Sequence, residues 1–128
     1  MDIGALIVVT GSMEPTINIK EMIIIKEQET YNVQDIVTYI DKNGNLVTHR
    51  IVSKIGNTVV TRGDNNSISD EPIKLDKIEG KVCCHSTVLG EIFLYWLKPI
   101  IGLVIILIIF NMLRTTIILR RKKNEEKA

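Results

Sequence analysis

Asp35-Ile36-Val37-Thr38-Tyr39-Ile40, Asp41-Lys42-Asn43-Gly44-Asn45 and Leu46-Val47-Thr48-His49-Arg50-Ile51-Val52-Ser53-Lys54 read together as one β-hairpin. The flanking runs are β-branched and aromatic, and the polar segment between them centres on Asn-Gly, a strong short-range hairpin signal. Working outward, Met22-Ile23-Ile24-Ile25 is a further strand on the near side. On the far side Gly56-Asn57 makes a turn, Thr58 to Arg62 continues as a strand, and Val82 to Leu89 reads as a final strand. Short apolar runs broken by turn residues, with no helical spacing, predict a small, largely antiparallel β domain over residues 10–91.

The composition changes after that domain. Residues 92–119 are dominated by Ile and Leu, with Tyr95, Trp96 and Lys98 near the start and Arg120-Arg121-Lys122-Lys123 beyond the end. That length suffices to cross a bilayer core of about 30 Å. The aromatic residues suit one interface, and the basic cluster places the 120–128 tail on the cytoplasmic side with the β domain outside. Residues 1–9 form an apolar stump, too short to span and without the basic start of a signal peptide. Two readings fit: the end of a truncated N-terminal membrane span, which would set the following residues just outside the bilayer, or a domain that crosses the membrane by another route.

The formal charge of +1 on 128 residues argues against a nucleic-acid partner, since acids balance bases except at the C-terminus. The adjacent Cys83 and Cys84 are expected as free thiols, because neighbouring cysteines bridge only with strain. With only His85 beside them they fall short of a metal set, so neither metal nor cofactor is expected.

Against this frame stands Thr10-Gly11-Ser12-Met13-Glu14-Pro15, directly after an apolar run. Glycine permits a sharp turn and proline fixes φ, so Ser12 sits on a tight corner with the Thr10 hydroxyl nearby. Two readings fit: an ordinary turn, or a nucleophile with part of an oxyanion hole beside it. His49 shares a strand face with Val47 and Ile51, which makes it partly buried. It is either a hydrogen-bonded structural histidine or a general base, for which an imidazole needs little tuning near neutral pH. The loop Gly63-Asp64-Asn65-Asn66-Ser67-Ile68-Ser69-Asp70 supplies two aspartates. Either one suits the Nδ1–H of His49, and a plain surface loop also fits. Asp64, Asn66 and Asp70 are oxygen donors as well, but the glycine and glutamate spacing of a calcium loop is missing.

Gly11-Ser12-Met13-Glu14-Pro15, His49-Arg50 within an aliphatic strand, and Gly63-Asp64-Asn65-Asn66 followed by Asp70 resemble the boxes of type I signal peptidases. The resemblance is to the endoplasmic-reticulum and archaeal branch, also found in some Gram-positive bacteria. Gln34-Asp35-Ile36-Val37 matches a fourth box with Gln34 in place of its usual glycine, and the similarity runs in order from about Val8 to Gly90. It implies a β-rich domain of the signal-peptidase and LexA-like type, tethered to the cell membrane. It also implies Ser12 as nucleophile, His49 as general base where ordinary bacterial enzymes carry lysine, Asp70 as third member and Asp64 as a second important acid. Thr10 would join the Ser12 amide in the oxyanion hole. The implied substrates are secretory precursors cut after small residues at −1 and −3, with the lipid bilayer and the protein-translocation machinery as further partners. From position alone, Met13, Ile17, Ile19, Ile23 and Ile25 are expected to line the substrate site. Other readings are a self-cleaving Ser–Lys protease of the repressor type and a catalytically silent, membrane-anchored β module that binds precursors or assists another peptidase.

Overall fold

A computed structural model describes residues 2–125 and 127. Met1, from the 1–9 stretch, and Glu126 and Ala128, from the 120–128 tail, lie outside the described residues. Two compact units divide the chain, residues 1–91 and residues 92–128.

The first unit is a seven-stranded sheet. Its strands are β1 (Ile3–Ile7), β2 (Met22–Lys26), β3 (Ile36–Ile40), β4 (Leu46–Ile55), β5 (Thr58–Arg62), β6 (Ile73–Lys74) and β7 (Ile78–Ser86). They lie in the order β1-β2-β7-β3-β4-β5-β6, with every neighbouring pair antiparallel. The expected hairpin is β3–β4, with Val37 opposite His49 and Tyr39 opposite Val47. Asp41 organises its turn, because Oδ1 accepts from the amides of Asn43 and Asn45, each at 2.8 Å. Gly44 takes φ of 84°, the left-handed region where a side chain is disfavoured.

Two elements differ from the sequence expectation. Residues 3–7, read as the end of a membrane span, are extended and paired along their length with β2, Ile3 opposite Lys26 and Ile7 opposite Met22. A short apolar run satisfies a strand as well as a span, and only the pairing distinguishes them. The final strand, expected over Val82 to Leu89, runs from Ile78 to Ser86 instead: β7 reaches back to pair with β3 through Ile78 opposite Tyr39, and Thr87 to Leu89 turn into a helix. By inserting between β2 and β3, β7 joins the N-terminal strand pair to the hairpin.

Strand alternation directs side chains into two cores. Tyr31, Val37, Tyr39, Ile51, Val59 and Ile78 form one, and Met13, Ile17, Ile23 and Ile25 form the other, with Leu6, Val8, Ile36 and Val82 packed against it. Gln34, before β3, holds φ of 80° while its amide donates to Ile51 O at 2.8 Å. A left-handed conformation is disfavoured for a residue with a Cβ. Gln34→Gly is therefore expected to raise stability by about 0.5–1 kcal/mol, read as a higher thermal midpoint by circular dichroism. An unchanged or lower midpoint would count against strain at this residue.

The first unit closes with a short helix α1 (Thr87–Glu91). The second unit is one long apolar helix, a π-helical stretch Ile92–Leu97 running into α2 (Lys98–Glu125). None of its side chains is buried within the chain. Together with α1 it forms the single helix among the described residues long and apolar enough to cross a membrane, Thr87–Glu125, 39 residues. The chain is thus mainly β with a C-terminal apolar helix. The basic cluster 120–123 continues that helix instead of following it.

Candidate active site

Ser12 is held by its neighbours on both sides. Upstream, β1 ends and Val8 remains tied to the next segment, its amide donating to Glu21 O at 2.9 Å. Downstream the chain winds into a tight coil, with Glu14 N donating to Gly11 O at 3.2 Å and Ile17 N to Met13 O at 3.0 Å. Met13 and Ile17 are fully buried, so the turn carrying Ser12 is pinned by apolar packing. Gly11 is not among the positive-φ glycines, so the corner comes from the coil and not from a left-handed glycine.

The 63–70 loop reaches across and grips this turn. Asn65 donates its amide N–H to Ser12 O at 2.9 Å and its side-chain Nδ2 to Gly11 O at 3.1 Å. The approach is close at Gly63, where an added Cβ would stand 2.5 Å from Ser12 O and 2.8 Å from Asn66 Nδ2. A backbone oxygen cannot yield at that distance without moving Ser12 itself. Gly63→Ala is expected to cut any Ser12-dependent turnover by about 10- to 100-fold, since displacement of a reacting group by about 1 Å has that cost. The comparison is kcat/KM against wild type, and an unchanged value would mean that the loop does not set the position of Ser12.

His49 comes from the middle of β4 and is buried, 6% exposed. Its ring bridges the two remaining groups: Nε2 lies 3.1 Å from Ser12 Oγ and Nδ1 lies 2.6 Å from Asp70 Oδ2. An ionised carboxylate oxygen can only accept, so Nδ1 carries the proton and Nε2 is left as the acceptor facing Ser12. The arrangement can withdraw a proton from the Ser12 hydroxyl while a negative charge steadies the ring that receives it. Asp70 is fixed by its own amide, which donates to Thr61 O at 2.8 Å.

Of the two loop aspartates, then, Asp70 meets His49 and Asp64 does not. Asp64 receives both arms of Arg50, Nε at 2.8 Å and Nη2 at 2.7 Å, and the Thr16 hydroxyl at 2.6 Å. Alternation along β4 turns Arg50 to the face opposite His49, which separates the two carboxylates. The hydrogen bonds from Arg50 hold the Asp64 carboxyl below its ordinary value; burial opposes this, and Thr16 and the charges of Arg50 and Arg62 reinforce it. Arg50 Nη1 also donates to Gln34 O at 3.1 Å, so this fork ties the 63–70 loop to the start of β3.

A cavity of about 900 Å³ opens beside Ser12 and His49. Thr10, Met13, Ile17 and Ile23 are among the residues that line it. Ile19 and Ile25 are not. Ile19 is 45% exposed, and Ile25 is buried across from Gly4, with its side chain filling the space a Cβ would occupy there. Further lining comes from Leu6 on β1, Val8 just after it, Val47 on β4 and Asn66 in the 63–70 loop. Treating residues 1–9 as part of an anchor removed Leu6 and Val8 from consideration. Among the described residues no group of three or more His, Cys, Asp or Glu side chains is placed to hold a metal ion, and Cys83 and Cys84 are free.

No protein-family model matches the chain. Over 70 residues it is 39% identical to signal peptidase I W of Bacillus subtilis (strain 168). That stretch is 49% of this chain and 37% of the relative, so the chain spans little more than a third of the curated protein it matches. The likeness is to a signal peptidase I, with no resolution of the branch within that family.

Proposed function

We propose that this chain is a membrane-anchored serine endopeptidase that removes signal peptides from secretory precursors. The observation that carries the reading is the ring of His49 bridging Ser12 Oγ and Asp70 Oδ2 at hydrogen-bond distance. The partial identity with signal peptidase I W supports the substrate class. An imidazole in contact with the serine favours the Ser–His type over the Ser–Lys type.

In this mechanism Ser12 Oγ attacks the scissile carbonyl as His49 Nε2 takes its proton. Asp70 holds the Nδ1–H and balances the charge of the imidazolium. The amide of Ser12 and the hydroxyl of Thr10, both at the cavity, receive the developing oxyanion. His49 returns the proton to the leaving amine, the amide C–N bond breaks, and an acyl-Ser12 remains. Water activated by the same imidazole then releases the mature chain's partner fragment and restores the hydroxyl. The apolar lining by Leu6, Val8, Met13, Ile17 and Ile23 suits small side chains at −1 and −3. The apolar helix anchors the protein in the cell membrane. The Arg120 to Lys123 cluster favours a cytoplasmic end for that helix and an outer-face position for the β domain, where translocation delivers precursors.

The test is cleavage by the full chain, reconstituted in lipid vesicles, of a precursor whose signal peptide ends in Ala-X-Ala. The expected product is a single cut after the second alanine, lost when a bulky residue replaces that alanine. An intact precursor, or cutting indifferent to the −1 side chain, would overturn the proposal and favour a module that binds precursors without cutting them.

A further inference from the structure

Asp70 Oδ2 is a crowded atom. Besides His49 Nδ1 at 2.6 Å, it accepts from Thr61 Oγ1 at 2.7 Å and from the Tyr39 hydroxyl at 3.2 Å. Tyr39 stands on β3 and Thr61 on β5, the two strands flanking the one that carries His49. The sheet thus presents three consecutive donors, one per strand, to one carboxylate oxygen. Both outer donors are buried, Tyr39 at 4% exposed and Thr61 at 0%, and their oxygens lie 3.3 Å apart.

We propose that Tyr39 and Thr61 are positioning residues of the site, which hold Asp70 Oδ2 in place and withdraw part of its charge, and so set how readily His49 takes a proton. The inference rests on the Ser12–His49–Asp70 reading above. A carboxylate oxygen offers about two lone-pair sites, so each hydroxyl competes with the imidazole for it. Hydrogen bonds to a charged acceptor spread its charge, and less charge on Asp70 stabilises the imidazolium less. The sign follows. Removing either hydroxyl leaves more charge for His49, the protonated ring gains, and the acid limb of activity moves to higher pH. Tyr39 serves as a donor throughout the working range, because burial first, then the charges of Asp70 and Asp41, push its phenol up to about 12 against the opposing hydrogen bond from Thr61.

Other charges around the ring are accounted for. Asp41, on the β3–β4 turn, shares the cavity with His49. Arg50 is engaged by Asp64, and Lys42 by Glu71 at 2.6 Å. The second histidine, His85, pairs with the buried Glu21 at 2.5 Å and provides an internal reference. Burial raises the Glu21 carboxyl, but hydrogen bonds from Asn18, His85 and Thr87 together hold it below its ordinary value.

The experiment follows the two imidazoles by nitrogen NMR in the detergent-solubilised full chain, alongside the pH profile of kcat/KM. Tyr39→Phe keeps the ring in the core, and Thr61→Val keeps the shape, so each removes only a hydroxyl. The expected result for each is a rise in the His49 titration midpoint by about half a pH unit. The acid limb should rise equally and His85 should stay fixed, while Thr61→Ser restores the wild-type midpoint. A His49 midpoint that stays or falls in both variants overturns the inference. If the wild type cuts no precursor while the midpoint still rises, the peptidase reading fails and the clamp on Asp70 stands. If the enzyme works and the midpoint does not move, the clamp fails alone.

Discussion

Ser12→Ala is expected to leave a folded chain that cleaves precursor at least about 10⁴-fold more slowly than wild type, the scale of loss when a serine nucleophile is removed. The folding half of that expectation comes from the packing. The turn is held by buried Met13 and Ile17 and by the Asn65 hydrogen bonds to Gly11 O and Ser12 O, and none of these involves Oγ. Among the described residues Oγ hydrogen-bonds to the ring of His49 alone, at the edge of an open cavity where water can replace it. The change in stability should therefore stay within about 0.5 kcal/mol, like other substitutions away from core and buried networks. Precursor binding should survive too, because the apolar lining is untouched. The measurement is a paired one, circular dichroism melting for the fold and a precursor time course for turnover. Cleavage above a hundredth of the wild-type rate would remove Ser12 from the mechanism and send the search to another nucleophile.

Where local chemistry was decisive, the fold could be read from the chain alone. Asn43-Gly44 sits between two β-branched runs, and the left-handed φ of Gly44 is the physical reason that dipeptide signals a hairpin. Likewise Thr58–Arg62 has the expected limits, because a turn at Gly56-Asn57 bounds it. Where the deciding partner lies far along the chain, reading stops. Residues 3–7 become a strand through pairing with β2, and Ile78 extends β7 through pairing with β3. The site divides in the same way. Ser12, His49 and the aspartate pair stood out as chemical types at suggestive positions, but which aspartate meets the ring depended on the alternation of Arg50 against His49. Position alone puts Ile25 beside Ile23 as a candidate for the cavity lining, yet Gly4 opposite Ile25 lets that side chain sink into the core. Tyr39 and Thr61 carried no signal at all. A tyrosine and a threonine in β-strands are ordinary strand formers, and only the three-strand register brings their hydroxyls to Asp70.

Asp70→Asn addresses the centre of that register, and it is expected to lower kcat/KM by about 10³- to 10⁴-fold with KM little changed. Asparagine matches aspartate in shape, so the backbone bond from Asp70 N to Thr61 O and the course of the loop persist. What changes is the partner of Nδ1. If the amide presents its oxygen, the Nδ1–H keeps an acceptor but the imidazolium formed during attack loses its counter-charge. If it presents its NH₂, Nδ1 must accept, the proton moves to Nε2, and the nitrogen facing Ser12 can no longer take one. Both orientations fail in the transition state rather than in binding, which is why the loss belongs to kcat. Tyr39 and Thr61 make the site intolerant of further rescue. Their hydroxyls, both on buried residues, converge on the same oxygen position and favour an acceptor there. Steady-state kinetics on a precursor peptide, with His49 followed by nitrogen NMR to identify its tautomer, separates the two orientations. An Asp70→Asn chain retaining more than a tenth of wild-type kcat would show that the ring needs no charge behind it. In that event the serine–histidine pair works as a dyad, and Asp70 serves to close the loop over β5.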